Sequence, residues 1–293
     1  MEKISNPLFS SINIELFHIG VRDDPKRKVY RCLDSGLIFL EPHPKGLCLD
    51  DEMYQGLEWI PSIEGKVDYK KLNERLRTEN NKRVMRNISM IRNKNILDIG
   101  CGSGSFLFSA KEHSNNCIGV EINNSSREYV RSNGIQVYPS LDEIDEKFDT
   151  IFLNHVLEHV ENPSNLINRL KDKLSKNGKV IIEVPHGNDA LLTHYNCDNF
   201  KNFTLWSEHL YLFTEDSFMK IMHKKPFEVT NVNYLMRFSI SNHLYWLKEG
   251  KPKGQEILGW IESEELNQAY SNRLVQLKAT DTIEFTLCLK TRI

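Results

Sequence analysis

Five short apolar runs recur through the middle of the chain: Asn95-Ile-Leu-Asp98-Ile99, Cys117-Ile-Gly-Val-Glu121-Ile122, Gln136-Val-Tyr138, Phe148-Asp-Thr-Ile-Phe-Leu-Asn154 and Gly178-Lys-Val-Ile-Ile-Glu-Val-Pro185. The last two are apolar enough to be buried on both faces, as parallel strands are. Helical stretches separate the runs, one over about 105–113 and another starting at Asn162-Pro163, with Asn as cap and Pro at the first helical position. Lys176-Asn-Gly178 is expected to end that second helix. This alternation is the βαβ rhythm of a right-handed, parallel sheet.

The flanks read differently. Leu16-Phe-His-Ile19 and Lys28-Val-Tyr-Arg-Cys32 alternate like strands, and Gly36-Leu-Ile-Phe-Leu40 continues the pattern until Pro42 and Pro44 break it. From Asp68 to about Arg92 the pattern turns charged and helical, with Leu72, Leu76, Val84 and Ile88 near helical spacing. Two final strands are expected at 226–232 and 282–290. Between them lies an amphipathic helical insertion, about 239–279, that carries Trp246, Trp260 and Tyr270 and suits a lid or an oligomer contact. The division expected is an N-terminal β-rich region over 1–65 and a larger domain over 66–293.

Composition adds limits. The 293 residues are 40% hydrophobic, enough for one catalytic domain and a small accessory region. A net charge of −2 and a pI near 6.6 give no electrostatic case for a nucleic-acid partner, which leaves a basic footprint. There is no apolar run of signal-peptide length at the N-terminus and none long enough to span a bilayer, so a cytoplasmic protein is expected. The cysteines at 32, 48, 101, 117, 197 and 288 are too scattered for a disulfide framework or a zinc knot.

The chemistry begins at Asp98-Ile-Gly100-Cys-Gly102-Ser-Gly104, where a strand ends in an acid and runs into a glycine turn that opens a helix. Glycines at alternate positions let a ligand lie against the backbone. A dinucleotide fingerprint would carry its third glycine at 105, where this chain has serine. The acid two residues before the first glycine suits a cationic ligand better than a pyrophosphate. A second carboxylate, Glu121, follows about 20 residues later, where a nucleotide fold accepts hydrogen bonds from both ribose hydroxyls.

On these residues the chain resembles the class I S-adenosylmethionine-dependent methyltransferases, whose first motif is an acid followed by Gly-x-Gly-x-Gly. The resemblance covers about 80–235 and the last strand. It implies a Rossmann-like, seven-stranded, mostly parallel α/β sheet with an antiparallel C-terminal edge hairpin. S-adenosylmethionine is the cofactor it implies. The cofactor-binding residues implied are Asp98, Gly100, Gly102, Gly104, Glu121 and Asn154, with Ser140 and Leu141 beside the adenine and Asp142 a weaker candidate.

The N-terminal region resembles the small ribbon that precedes the catalytic domain in some sugar-modifying methyltransferases, where two Cys-x-x-Cys pairs hold zinc. Here the pairs are reduced to Cys32-Leu-Asp-Ser35 and Phe17-His-Ile-Gly20, too few ligands for a structural site. A ribbon held by packing, without metal, is therefore expected. Tyr54 or Trp59 is a candidate to close over the cofactor, with plain core the alternative.

A sulfonium methyl is already activated, so the enzyme must align a nucleophile and, for an alcohol, remove its proton. The fourth strand delivers Asn154-His155-Val-Leu-Glu158-His159 to the sheet edge, and His155 and His159 are candidate bases. The spelling also matches the H-x-x-E-H of one class of zinc peptidase, a reading disfavoured because the segment follows a buried strand. Similar Leu-Glu-His sequences fix the loop in the methyltransferase family, which is the structural alternative. His186 after the fifth strand and His209 in Trp206-Ser-Glu-His209-Leu-Tyr-Leu-Phe213-Thr214 are further candidate bases or loop struts. A metal-assisted route stays open.

The ribbon, the Leu-Glu-His motif and the His-x-x-x-Phe-Thr segment together look most like bacterial methyltransferases of capsule, lipopolysaccharide or related glycan biosynthesis. The expected reaction is O-methylation of a saccharide or nucleotide-sugar, by a chain that forms a homo-oligomer or acts alone. The alternatives are a methyltransferase of a quinone or other small molecule, and a non-catalytic S-adenosylmethionine-binding partner subunit.

Overall fold

The computed structural model describes residues 6–9, 11–42, 60–63 and 65–290. Tyr54, Trp59 and Cys48 lie outside the described residues. The chain opens with the hairpin β1 (Ile14–Val21) and β2 (Asp24–Cys32), followed by β3 (Ile38–Leu40) and a small pair, β4 (Ser62–Ile63) and β5 (Lys66–Val67). Helix α1 (Tyr69–Arg86) starts at Asp68, whose side chain accepts a hydrogen bond from the Lys71 N–H, and α2 (Ile88–Ile91) follows. The single helix expected over 68–92 is broken at Asn87, whose side chain is committed to the Arg83 carbonyl and to Glu284.

The alternating core follows: β6 (Asn95–Ile99), α3 (Ser105–Ala110), β7 (Asn116–Val120), α4 (Asn124–Ser132), β8 (Gln136–Tyr138), β9 (Phe148–Asn154), α5 (Pro163–Lys173) and β10 (Leu174–Pro185). After it come α6 (Asp198–Thr204), β11 (Tyr211–Leu212), α7 (Glu215–Met222) and β12 (Phe227–Leu235). The insertion supplies α8 (Ile240–Glu249), α9 (Gly254–Ile257) and α10 (Glu264–Gln276), and β13 (Thr282–Leu289) closes the sheet.

Seven strands lie in the order β12-β13-β10-β9-β6-β7-β8. The five from β10 to β8 are parallel, and β13 runs antiparallel to β10 and to β12. The central strands are buried on both faces, with Leu97, Ile118, Ile151, Leu153, Val180 and Ile182 in one layer and Ile96, Cys117, Phe152 and Ile181 in the other. Burial of this kind, at about 25 cal/mol per Å² of apolar surface, holds the sheet to its helices. The turn expected at Lys176-Asn-Gly178 lies instead within β10. Leu174 is buried and already pairs with Phe148, and a register break before Lys179 absorbs the glycine.

The N-terminal strands form a second sheet in the order β1-β2-β3-β11. Its fourth strand comes from the far side of the chain, with Tyr211 opposite Phe39 and Leu212 opposite Ile38. The N-terminal sheet thus grips the loop that carries His209. Among the described residues, no helix is long and apolar enough to cross a membrane.

Candidate active site

The carboxyl ends of β6, β7 and β9 bring Asp98, Glu121 and Asn154 to one edge of the sheet, where a cavity of about 820 Å³ opens. Glu121 Oε2 accepts a hydrogen bond from the Gly102 N–H and Oε1 one from the Asn123 N–H, both at 2.8 Å. Its carboxylate is thereby fixed against the glycine turn, with lone pairs left for a ligand. Asp98 is buried and accepts from Asn154 Nδ2 at 3.2 Å. Burial pushes its pKa up to about 7 against the pull of Arg83 and Asn154, with the charge of Glu121 adding to the rise. A buried carboxyl so placed gains from a cation laid beside it.

Two glycines of the turn serve different ends. Gly102 has φ +52°, and a Cβ built there meets nothing within 4 Å, so its bareness leaves room over the backbone. Gly104 has φ +78°, and its Cβ would come within 2.7 Å of Val130 on α4, so its bareness permits close helix packing. Ser103 is held by Asn73 of α1, which donates to its carbonyl at 3.0 Å.

Behind the cavity runs a buried ion network that sequence reasoning missed. Glu183 of β10 accepts from Arg83 through both carboxylate oxygens and also from Arg86, while Arg86 and Asn87 donate to Glu284 of β13. The hydrogen bonds of His155 and Arg83 hold Glu183 well below the usual carboxylate range although burial opposes them. The signal was present: an acid stands within each of two otherwise apolar strands, and two arginines stand three apart on a helix. His155, at φ +55°, closes the network toward the cavity. Its Nδ1 lies 3.2 Å from Glu158, and its Nε2 lies 3.2 Å from Glu183 and 3.1 Å from Arg237. Burial and Arg237 lower its pKa, but the two carboxylates outweigh them and raise it. Arg237 in turn pairs with Glu79 at 2.9 Å.

The other end of the cavity is lined by His159, His209, Trp206, Phe203, Asp189 and Arg22, among others. His159 Nδ1 stands 2.9 Å from the Glu208 carbonyl and His209 Nδ1 3.2 Å from the Thr204 carbonyl. A carbonyl only accepts, so Nδ1 carries the proton in each neutral ring and Nε2 keeps its lone pair. The two rings lie 5.0 Å apart, each edge-on to Trp206. Burial, with the nearby His159, holds His209 well below its ordinary pKa. Arg22, delivered by the N-terminal sheet, donates to the Phe203 carbonyl and lies 4.4 Å from the Phe203 ring centroid. Burial drives Asp189 up to about 8, helped by the charge of Asp281.

Of the candidates read from sequence, Asp98, Gly100, Gly102, Glu121, Asn154, His155, His159 and His209 line one cavity. Gly104, Ser140, Leu141 and His186 are not among its lining residues. Ser140 caps the turn Leu141–Glu143 and Leu141 is core. His186 is buried beside Tyr234 with Nδ1 on the Thr280 carbonyl, and burial lowers its pKa to about 4.

S-adenosylmethionine fits the first end of the cavity. Asn154 Oδ1 is buried with no partner among the described residues, Asp98 favours a cation, and the space over Gly102 admits a ligand to the backbone. Solved structures similar to this one agree in fold. A methyltransferase from Archaeoglobus fulgidus described as S-adenosylmethionine-dependent superposes with a TM-score of 0.51 at 20% identity, over 75% of this chain and 99% of that one. A putative methyltransferase of Haloferax volcanii, solved with the Trm112 methyltransferase activator, gives 0.51 at 11% identity over 76% and 94%.

Among curated relatives, the tRNA U34 carboxymethyltransferase of Alteromonas mediterranea is 32% identical over 117 residues, 34% of this chain and 35% of the relative. Its counterpart in Vibrio vulnificus is 30% identical over the same length. The chain thus matches about a third of the length of these relatives. The family model for the methyltransferase domain matches residues 72–232, more than half of the chain. With the parallel sheet, the acid-tipped strands and the glycine turn, this establishes that the chain belongs to the methyltransferase-domain family.

Proposed function

We propose that the chain methylates a hydroxyl oxygen of a saccharide or nucleotide-sugar. The observation that carries this reading is that His159 and His209, each with Nδ1 on a backbone carbonyl, face the same cavity as Asp98 and Glu121. A hydroxyl needs its proton removed before it attacks, and an imidazole pair with fixed tautomers serves that need, either as the base or by holding an ion that acidifies the hydroxyl. The aromatic faces of Trp206 and Phe203, beside Asp189 and Arg22, suit the mixed apolar and hydrogen-bonding surface of a sugar ring. Asp98, Glu121, Asn154 and Gly102 are assigned to hold S-adenosylmethionine, which when bound supplies a methyl group already activated on a sulfonium sulfur. The ion pairs of Glu183 with Arg83 and Arg86 keep α1 seated against the sheet beside that end.

A second reading, transfer to an RNA base, draws support from the names of the curated relatives. The net charge of −2 weighs against it, as does a match limited to about a third of each relative. Incubation with S-adenosylmethionine and a panel of nucleotide-sugars, free sugars, quinols and unmodified tRNA, read by mass spectrometry, separates the readings. A methylated sugar hydroxyl supports the proposal. Methylation of tRNA or quinol alone overturns it.

A further inference from the structure

We propose that Glu158, His159 and His209 form a seat for one divalent first-row transition ion at the acceptor end of the cavity. The inference rests on the O-methylation reading and deepens it, because the ion would bind the acceptor hydroxyl.

Two groups of three side chains among the described residues bring ligating atoms within 4.8 Å of one another: Glu158 with His159 and His209, and Glu79 with His155 and Glu183. The second group is already filled by cations. Arg83 occupies both oxygens of Glu183, Arg86 adds to it, and Arg237 pairs with Glu79 and touches His155. A dication there would meet fixed guanidinium charge at close range.

The first group has the opposite character. His159 Nε2 stands 4.0 Å from Glu158 Oε1, so small side-chain movements bring the pair to ligand distances. Both imidazoles are held by backbone carbonyls at Nδ1, the outer-shell arrangement that fixes a histidine to ligate through Nε2. The Glu158 side chain is fully buried, and its Oε2 has no hydrogen-bond partner among the described residues. Leaving a buried carboxylate oxygen unmet costs stability, and a metal ion is a partner of the required charge. Oε1 is oriented by His155 Nδ1 at 3.2 Å, so His155 serves this group from outside it.

The H-x-x-E-H spelling of 155–159 serves two groups. Its first histidine links the arginine network to Glu158, while Glu158 and His159 converge with His209. Leu157–His159 is a single 3₁₀ turn, and the remaining ligand comes from the loop that the N-terminal sheet grips.

Two imidazoles and one carboxylate favour manganese, iron or zinc over magnesium or calcium, which prefer all-oxygen sets. Three protein ligands leave coordination positions for the substrate. An acceptor hydroxyl bound there acidifies and loses its proton to water. Its oxygen then forms the bond to the methyl carbon while the carbon–sulfur bond breaks and its electron pair stays on sulfur. In this form of the reaction His159 and His209 hold the ion and do not themselves take the proton.

The test is calorimetric titration of the chelator-stripped chain with Zn²⁺ and with Mn²⁺, supported by electron paramagnetic resonance of bound Mn²⁺. The parent chain is compared with His209→Ala, Glu158→Gln and Glu79→Gln, and S-adenosylmethionine is titrated in parallel. One ion per chain is expected, weakened by more than about tenfold in the first two variants and unchanged in Glu79→Gln. His209→Ala, on a loop, remains informative if Glu158→Gln fails to fold. Absence of binding in the parent, affinity indifferent to His209→Ala, or loss confined to Glu79→Gln would overturn the site. Intact S-adenosylmethionine binding without metal removes the ion alone, whereas loss of both strikes the methyltransfer reading beneath it.

Discussion

Glu183 and Glu284 face each other in register on adjacent strands, and Arg86 bridges them, 2.5 Å from one carboxylate and 2.9 Å from the other. Two buried like charges side by side would repel; the shared guanidinium turns the pair into a clamp that fastens α1 to the sheet.

Removing that bridge is expected to be costly. Arg86→Met leaves buried Glu284 without its cation and Glu183 with Arg83 as its remaining arginine, a loss on the order of 3–5 kcal/mol by analogy with other broken buried pairs. Urea denaturation measures it. Because Glu183 is depressed in the folded state, its contribution to stability is present above its unfolded pKa and fades as pH falls through the lower folded value. The parent is therefore expected to lose stability steeply in acid, and Glu183→Gln to lose part of that dependence.

Asp98, raised where Glu183 is lowered, governs binding at a higher pH. Its folded pKa is raised to about 7, so below that pH the carboxyl is protonated and offers a cation nothing. Affinity for S-adenosylmethionine is expected to rise with pH, by up to about tenfold per unit below 7, and to level off above it. Calorimetry in buffers spanning that range checks this, and Asp98→Asn should flatten the profile at weak binding.

The two turn glycines should separate under substitution. Gly102→Ala costs about 1 kcal/mol of left-handed strain, and its added methyl occupies the open space over the backbone. Donor affinity is expected to fall more than thermal stability. Gly104→Ala meets Val130 and should lower the melting temperature first.

Arg22 braces the acceptor wall from the N-terminal sheet. Arg22→Ala is expected to raise the KM for the acceptor several-fold while leaving donor affinity unchanged, as steady-state kinetics and calorimetry together would read.

The sequence made the parallel strands legible because residues buried on both faces leave continuous apolar runs, and the acids ending two of them marked Asp98 and Glu121. Gly104 belonged to the motif, but its role is set by Val130, a neighbour in space that no local pattern reveals. The pairing of β3 with β11 was hidden for the same reason, since Phe39 and Tyr211 meet only through tertiary structure. His159 and His209 were each legible as candidates. Their convergence, and the place of His155 between the arginine network and Glu158, rest on tertiary structure and a left-handed backbone at 155 that sequence alone does not announce.

The most direct measurement is methyl transfer from isotope-labelled S-adenosylmethionine to the nucleotide-sugar panel by the parent chain and by His159→Ala, with donor affinity measured on both. Label in a sugar ether, lost by about a hundredfold or more in the variant while donor affinity holds, is the expected result. Full activity in His159→Ala, or label reaching RNA and no sugar, would contradict the assignment of this wall of the cavity to a sugar hydroxyl.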